Sequence, residues 1–344
     1  MLARAIHSLE RAYWRRETRR QAYPFAWGIE HLGGDPGHDD PRAFLRQYAD
    51  DALANSPQFF AAGSAERYQL RDSGLAFPSA LVSPYRENNL VRARWFPAPR
   101  SVDGTAQAGA GRAVLVLPQW NADADGHVNL CRMLNRFGLS ALRLSLPYHD
   151  QRMPAELERA DYLVSPNLGL TLQACRQAVL DARRALRWLE QQGYTRLGIL
   201  GTSIGSSVAF ITLAHEPVLR AGVFLHVSTY FGDVVRTGLT TAHVWQSLAS
   251  HVSPEELRHF WAPVSPYPYV GRLKGAGKKL LLVSGRYDLS FLPEFSKQLW
   301  NALEEQGISY QRLLLPCGHY TLGKPPFNYW AGLRFLPFLR RALA

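Results

Sequence analysis

The chain has 344 residues, is 47% hydrophobic and bears a formal net charge of +11 at pH 7. This length and apolar content suffice for a large buried core in one domain, and no run of about 18 apolar residues predicts a transmembrane helix. Three widely spaced cysteines, Cys131, Cys175 and Cys317, argue against a disulfide framework and indicate a reducing compartment, so we expect a cytoplasmic protein.

The basic charge comes from 39 Lys and Arg residues against 28 Asp and Glu residues. A basic surface can attract nucleic acid or anionic membranes, but the sequence has no zinc-finger spacing, no RNP-type motif and no long basic tract. We therefore expect a solvated surface and no nucleic-acid partner, with membrane-surface association as a weaker alternative. The first residues, MLARAIHSLERAYWRRETRR, lack an apolar core and a small-residue cleavage site, and they predict a helix, not a signal peptide.

Residues 1–66 predict a helical N-terminal extension. Within it, DDPRAFLRQYADDALANSPQFF at 39–60 places apolar residues at helical spacing behind an Asp-Asp-Pro start. Two extended stretches follow at 75–84 and 90–99, and the second alternates apolar residues with arginines, as a half-buried strand does. Small residues at 101–112 predict a surface loop.

From residue 113 the sequence alternates continuous apolar runs with amphipathic helices. Helices are predicted at about 126–137, from 168 to a stop at Gly193, and at about 204–215, 291–306 and 327–343. Buried strands are predicted at 113–118, 139–147, 196–201, 221–227, 279–285 and 309–316. This alternation predicts an α/β fold with a mostly parallel central sheet flanked by helices, forming one domain over 67–344.

The stretch LGILGTSIGSSVAF at 197–210 places Ser203 directly after a buried strand and directly before a helix. A change from strand to helix within so few residues forces the serine into strained backbone geometry. Bulky side chains at positions 201 and 205 would clash with this turn, which explains Gly201 and Gly205. The hydroxyl would then be exposed at the carboxyl edge of the sheet, where open α/β sheets bind ligands. A glycine-rich turn with a capping serine is the simpler alternative.

A serine nucleophile needs a base, and the base needs an acid that orients it. Asp288 follows the strand KLLLVSG and His319 follows the strand SYQRLLLP, so both are predicted at the same sheet edge as Ser203. The chain order Ser, Asp, His is the one expected for this kind of turn. Asp233, after the fourth strand, is an alternative acid, and Cys317 is an alternative nucleophile.

The succession GTSIG, SGRYD and CGHY, within residues 110–344, resembles the nucleophile, acid and base of an α/β-hydrolase-fold enzyme. PYHDQR, the long helix ending in WLEQQGYTRLGILGTSIGS and the helical N-terminal extension further resemble a poorly characterised group of α/β-hydrolase-domain proteins. The resemblance implies a serine hydrolase with Ser203, Asp288 and His319 as its catalytic residues.

The predicted oxyanion hole departs from the pattern of many lipases and esterases of this fold, which have His-Gly after the corresponding strand. Here AVLVLP is followed by QWNADADGH. We expect the backbone N–H groups of Ile204 and Trp120 as donors. A backbone N–H of Gln119 or Asn121, or the side-chain amide of Asn121, is the alternative, and both residues would line the substrate site.

Residues 230–274 lie between the fourth and fifth strands, are rich in aromatic residues and predict a helical cap over the nucleophile. Trp245 and Trp261 would line an apolar acyl or aryl pocket. Alternatively, these aromatic side chains pack on the sheet edge. His149, after the second buried strand, is expected to line the substrate site or to brace a loop.

The sequence thus predicts a serine hydrolase that cleaves carboxylic esters of small molecules through an acyl-enzyme intermediate and needs no cofactor. The His-carboxylate clusters at 37–40 and 148–150 lack a metal-site spacing, so no metal is expected either. A peptidase or amidase on the same fold is the first alternative, because the same triad cleaves amides. A non-catalytic binding protein on a hydrolase scaffold is the second, although such a protein would not need all three residues.

Overall fold

A computed structural model of the chain describes residues 1–98 and 111–344. The loop predicted at 101–112 lies outside these residues apart from its last two positions. In the described part of the chain, nine strands form one sheet in the order β1-β2-β3-β5-β4-β6-β7-β8-β9. The strands are β1 Gln69–Arg71, β2 Gly74–Pro78, β3 Leu90–Phe96, β4 Arg112–Leu117, β5 Ser140–Leu144, β6 Arg196–Thr202, β7 Leu219–Leu225, β8 Lys279–Gly285 and β9 Gln311–Leu315.

The six strands from β4 to β9 are parallel, as the alternation of strands and helices predicts. Strands β1, β2 and β3 add an antiparallel edge beside β5. Strand β1 was not predicted, because none of its three side chains is buried and no alternation marks it. The stretch predicted as extended at 75–84 is a strand only as far as Pro78.

Helices cover both faces of the sheet. They are α1 Leu2–Arg16, α2 Pro41–Ala54, α3 Ser56–Phe59, α4 Val128–Arg136, α5 Leu168–Gln191, α6 Ile204–His215, α7 Phe231–Thr237, α8 Ala242–Leu248, α9 Pro254–Phe260, α10 Pro293–Glu305, α11 His319–Leu322 and α12 Phe327–Ala342. Leu115 and Leu117 of β4 pack in one core with α5 and α6, whereas Val114 and Val116 pack in another with α4 and α12. Burial on both faces explains the uninterrupted apolar run of β4 and gives three layers.

The N-terminal extension is helical, as predicted, and packs on the rest of the molecule. Helix α2 begins at the predicted Asp-Asp-Pro, where the Asp40 carboxylate accepts a hydrogen bond from the Ala43 N–H at 2.7 Å. Leu45 and Phe60 are fully buried in the core that contains α5 and α6. Helix α1 packs against α11, which begins at His319. The domain boundary at residue 66 stays a prediction.

The segment 230–274 contains helices α7, α8 and α9 between strands β7 and β8. Its aromatic side chains differ in exposure: Phe260, Trp261 and Tyr269 are buried in the core, whereas Trp245 is half-buried. Among the described residues, no helix combines the length and the apolar character needed to cross a membrane.

Candidate active site

The backbone bends sharply at Ser203, between β6 and α6. Ser203 has φ 56° and ψ −127°, and a positive φ of this kind costs a non-glycine residue roughly 1–3 kcal/mol. A Cβ atom on Gly201 would lie 2.1 Å from the carbonyl oxygen of Gly205, and one on Gly205 would lie 2.3 Å from that of Pro118. Both glycines are therefore required by close backbone contacts around the serine.

Ser203, His319 and Asp288 form a continuous hydrogen-bonded chain. The Nε2 atom of His319 lies 3.0 Å from the Ser203 Oγ, and its Nδ1 atom lies 3.1 Å from Oδ2 of Asp288. The other carboxylate oxygen of Asp288 accepts hydrogen bonds from the backbone N–H groups of Ser290 and Phe291, at 2.7 and 2.8 Å. These bonds fix the carboxylate, so the imidazole can present Nε2 to the serine hydroxyl.

The charges around Asp288 and His319 favour an imidazole that can accept a proton. Burial alone would raise the pKa of Asp288, but the adjacent His319 imidazole holds it well below its usual range, so the carboxylate is ionised. Burial, the largest single effect, would lower the pKa of His319, but Asp288 together with Glu10 and Glu17 raises it above its ordinary value. A carboxylate paired with a basic imidazole is suited to general-base catalysis.

A second histidine, His226, contacts the same carboxylate and was not predicted. Its Nδ1 atom lies 2.7 Å from Oδ2 of Asp288, and its ring centroid lies 4.4 Å from that of His319. The contact is not aligned as a hydrogen bond, and neither ring nitrogen makes one to any described residue. The Ser206 hydroxyl donates to the carbonyl oxygens of both His226 and Ser203, which ties the two turns together. Burial, and then His319, lower the pKa of His226, so this ring is neutral.

The sequence contained a signal for His226, because this residue directly follows strand β7 at the carboxyl edge of the sheet. The ligating atoms of His226, Asp288 and His319 lie within 4.8 Å of one another, and in the described part of the chain this group could hold a metal ion. In the arrangement observed, His319 instead bonds Ser203 and Asp288 through its two nitrogens, as in a proton relay.

The loop after β4 is braced by His149. The backbone N–H of Asn121 donates to Nε2 of His149 at 2.9 Å, and Nδ1 of His149 lies 2.9 Å from the carbonyl oxygen of Pro147. The Asn121 side-chain oxygen accepts from the Ala160 N–H at 2.8 Å. Burial lowers the pKa of His149 to about 4, which keeps Nε2 free to accept. The bracing role, rather than a substrate-lining one, fits a ring whose two nitrogens are both bonded.

The Asn121 N–H is thus engaged with His149, which leaves Gln119 and Trp120 as the predicted backbone donors on this loop. Gln119 accepts the Ala122 N–H through its carbonyl oxygen. The Trp120 ring is half-buried, donates its indole N–H to Ala160 at 2.9 Å, and lies parallel to the His243 ring of α8 at 6.0 Å. The segment 230–274 therefore reaches the loop that follows β4.

The two tryptophans predicted to line a pocket lie in different surroundings. Trp245 is half-buried and lies two residues after His243 on α8. Trp261 is fully buried, donates its indole N–H to the Leu168 carbonyl at 3.1 Å and packs against Phe231. The structure does not bring Trp261 to a surface, because its ring is enclosed by the core.

The alternative acid and the alternative nucleophile are otherwise engaged. Asp233 pairs with Arg258, whose Nη2 atom lies 2.8 Å from Oδ2 of Asp233. Cys317 is buried, and burial raises the pKa of its thiol to about 12, so the thiolate needed for nucleophilic attack is disfavoured.

The chain and its fold match known proteins. The model of the prolyl oligopeptidase family (Peptidase_S9) matches residues 171–343. An acetyl xylan esterase from Thermoanaerobacterium sp. JW/SL YS485 is similar in structure, with TM-score 0.63 and 13% identity, over 89% of this chain and 100% of that one. An esterase from Pyrococcus furiosus has TM-score 0.55 and 17% identity over 81% of this chain and 92% of its own.

The acylaminoacyl peptidase of Pyrococcus horikoshii is also similar, with TM-score 0.60 and 12% identity, over 81% of this chain. This chain spans 42% of the length of that peptidase. No match was found among curated protein sequences. The likeness to these structures supports the α/β-hydrolase fold, and the family match covers half of the chain and includes Ser203, Asp288 and His319. The chain therefore belongs to the prolyl oligopeptidase family, a serine hydrolase-type family of the α/β-hydrolase superfamily.

Proposed function

We propose that this protein is a serine hydrolase that cleaves carboxylic esters, with Ser203 as nucleophile, His319 as base and Asp288 as the orienting acid. The observation that supports it most directly is the hydrogen-bonded chain from Asp288 through His319 to a serine held at positive φ. A binding protein on the same scaffold would have no need of that chain.

In the proposed reaction, Ser203 Oγ attacks the ester carbonyl carbon while its proton passes to Nε2 of His319. The resulting imidazolium, stabilised by Asp288, returns the proton to the alcohol oxygen as the carbon–oxygen bond breaks, which leaves an acyl-serine. Water then gives a proton to His319 and attacks the acyl carbon, and the proton returns to Ser203 as the acid is released. Atoms and charges balance without a cofactor.

We propose that the backbone N–H groups of Ile204 and Trp120 stabilise the oxyanion. Ile204 is the first residue of α6, and the first N–H groups of a helix have no partner within it. The loop with Trp120 follows Pro118, whose carbonyl oxygen closely approaches Gly205 beside Ile204. Two donors aimed at the developing charge lower the barrier to attack.

We expect His149→Ala to lower kcat/KM by roughly 10- to 100-fold, less than the loss of an oxyanion donor itself. The substitution removes the acceptor of the Asn121 N–H and so releases the loop that contains Trp120. Steady-state kinetics on a p-nitrophenyl ester measure the loss. His38→Ala, at an exposed histidine, is the matched control. An unchanged kcat/KM in folded His149→Ala would refute the bracing role.

The ester preference is our proposal over the peptidase alternative. It is supported by esterase neighbours that match this chain over nearly their whole length, whereas the acylaminoacyl peptidase is matched over less than half. Paired assays on p-nitrophenyl esters of graded acyl length and on peptide p-nitroanilides decide between the two. Comparable kcat/KM on both classes would favour the peptidase. We also propose a cytoplasmic location, because all three cysteines are free and buried.

We further propose that residues 230–274 form a cap that selects short-to-medium acyl or aryl esters. The stack of His243 on Trp120 supports this placement, because it joins α8 to the predicted oxyanion loop. Trp245, half-buried on the same helix, is then the tryptophan suited to line the pocket. Trp261, in the core, would support the cap from beneath.

We expect Trp245→Ala to change the ratio of kcat/KM between short and long acyl esters by up to about 10- to 200-fold, as apolar pockets discriminate. Trp261→Ala should instead destabilise the fold by about 3–5 kcal/mol and leave the ratio unchanged. Denaturant unfolding and chain-length profiles on the two variants separate these outcomes. If Trp245→Ala keeps the wild-type profile, the cap does not select the acyl group.

A further inference from the structure

The N-terminal helix α1 presents a buried carboxylate to the loop that contains His319. Glu10 is fully buried, and its Oε2 atom accepts the Tyr320 N–H at 2.9 Å. Its Oε1 atom accepts both the Thr321 N–H and the Thr321 hydroxyl, each at 2.9 Å. The donors are the two residues that directly follow His319. A side chain more than 300 positions away in sequence thus binds the turn at the catalytic base.

The turn is closely fitted to this carboxylate. A Cβ atom on Gly318 would lie 2.4 Å from Cδ of Glu10, so the residue before His319 must be glycine while Glu10 occupies its place. The Gly318 N–H donates to the Thr321 hydroxyl oxygen at 2.7 Å, and that hydroxyl donates to Glu10. Each backbone neighbour of His319 is therefore held by Glu10 or by a group bonded to it.

Helix α1 also touches the loop that contains Asp288. The ring of His7 packs edge-on against Tyr287 at 6.1 Å, and the ring of Tyr13 stacks on Tyr320 at 6.2 Å. Since His7, Glu10 and Tyr13 are three residues apart, they lie along one side of the helix. That side spans the residues adjacent to both Asp288 and His319.

A buried charge needs a reason, because an apolar residue would pack at this position with less desolvation cost. The carboxylate of Glu10 receives three hydrogen bonds from the turn, and bonds to an ionised acceptor are shorter and stronger than neutral ones. We propose that Glu10 is a positioning residue of the active site, which holds the His319 turn so that Nε2 faces Ser203. The inference rests on the proposed function, since it assumes that His319 is the base.

The charge of Glu10 also acts on His319 through space. Burial lowers the pKa of His319, and Asp288 most strongly, with Glu10 and Glu17 after it, raises it. The groups that face the imidazole or its turn are Asp288 and His226 from the sheet edge, Glu10, Glu17 and Arg20 from the N-terminal segment, and Cys317 and Tyr320 on the turn itself. Removing the charge of Glu10 therefore lowers the pKa of His319.

The test is Glu10→Gln in the full chain, which removes the charge and keeps the size of the side chain. We expect kcat to fall by about 10- to 100-fold, as small displacements of a catalytic group do, with KM nearly unchanged. His319 must be neutral to accept the serine proton, and its pKa falls when the Glu10 charge is removed. The acid limb of the kcat/KM–pH profile should therefore move to lower pH. Rates are expressed per active site titrated with a fluorophosphonate, so that loss of folded protein does not count as loss of activity.

Two matched variants isolate the effect. Glu66→Gln removes one exposed carboxylate elsewhere, and Leu9→Ala truncates an exposed neighbour on α1; both should keep the wild-type kcat and pH profile. Glu10→Asp keeps the charge but shortens the side chain, so kcat should fall while the acid limb stays near that of the wild type. This variant also provides the test if Glu10→Gln does not fold.

A purely structural role for Glu10 predicts a lower melting temperature with unchanged kcat per titrated site and an unmoved acid limb, and that result would overturn the inference. A Glu10→Asp variant with the wild-type kcat per titrated site would also overturn the inference. The proposed function fails differently: Ser203 would then not react with the fluorophosphonate in the wild-type protein, whatever residue 10 is.

Discussion

Ser203→Ala is expected to abolish both fluorophosphonate labelling and ester hydrolysis, with no loss of folded protein. The reason is the position of the Ser203 hydroxyl, 3.0 Å from Nε2 of His319, which can remove its proton. Loss of the nucleophile of such a triad costs a factor of roughly 10⁶ in kcat. Replacing a serine at φ 56° with alanine leaves the backbone strain in place, so stability should change little. Intact-mass spectrometry of the labelled protein measures the first effect and kcat the second.

Ser207→Ala is the matched control, because Ser207 is buried on α6, about one turn beyond Ser203. This variant should label as the wild type does. Labelling that persists in folded Ser203→Ala would show that another serine is the nucleophile, and peptide mapping would then identify it.

His319→Ala should lower kcat by roughly 10⁴-fold or more, as loss of the base of a triad does. The wild-type enzyme should lose activity as pH falls through the pKa of His319, since the protonated ring cannot accept the serine proton. Because Asp288, with Glu10 and Glu17, raises that pKa despite burial, the acid limb should lie above about 6.5, the ordinary value for histidine. A pH profile of kcat/KM measures it.

His226→Asn gives the decisive comparison, because His226 and His319 contact the same oxygen of Asp288. Of the two rings, His319 is the one hydrogen-bonded to Ser203. We therefore expect His226→Asn to retain far more activity than His319→Ala. A larger loss in His226→Asn would make His226 the base and refute the assignment made from chain order.

The central strands and the three candidate catalytic residues could be predicted from the sequence because their signals are local. The run KLLLVSG has no polar interruption until its end, and the strand there, β8, has the predicted bounds. Two glycines mark the turn at Ser203. The bend is so sharp that a side chain at either position would clash with the backbone. The carboxyl ends of parallel strands lie at one edge of the sheet, so the proximity of residues at these ends follows from the strand positions alone.

Contacts between distant parts of the chain could not be predicted in this way. Glu10 lies on a helix with four arginines, and a glutamate there is expected to be exposed, so its burial could not be predicted. Trp261 and Trp245 look alike in sequence, yet one is enclosed by the core and the other is half-buried. Which face of a short helix is buried depends on the surfaces around it. A helix of seven residues is too short for its apolar periodicity to identify that face.

The bonds from Glu10 to Tyr320 and Thr321 join residues 310 and 311 positions apart. Closing so long a loop costs conformational entropy before any contact repays it, so this junction should form late in folding. During synthesis on the ribosome, α1 emerges well before the turn to which it bonds, and His319 is the last of the three proposed catalytic residues to be made. A nascent chain released too early would therefore have a serine without its base, and its buried carboxylate would have no donors. If Glu10 positions His319 as proposed, hydrolytic activity would be a sensitive measure of whether a preparation has finished folding.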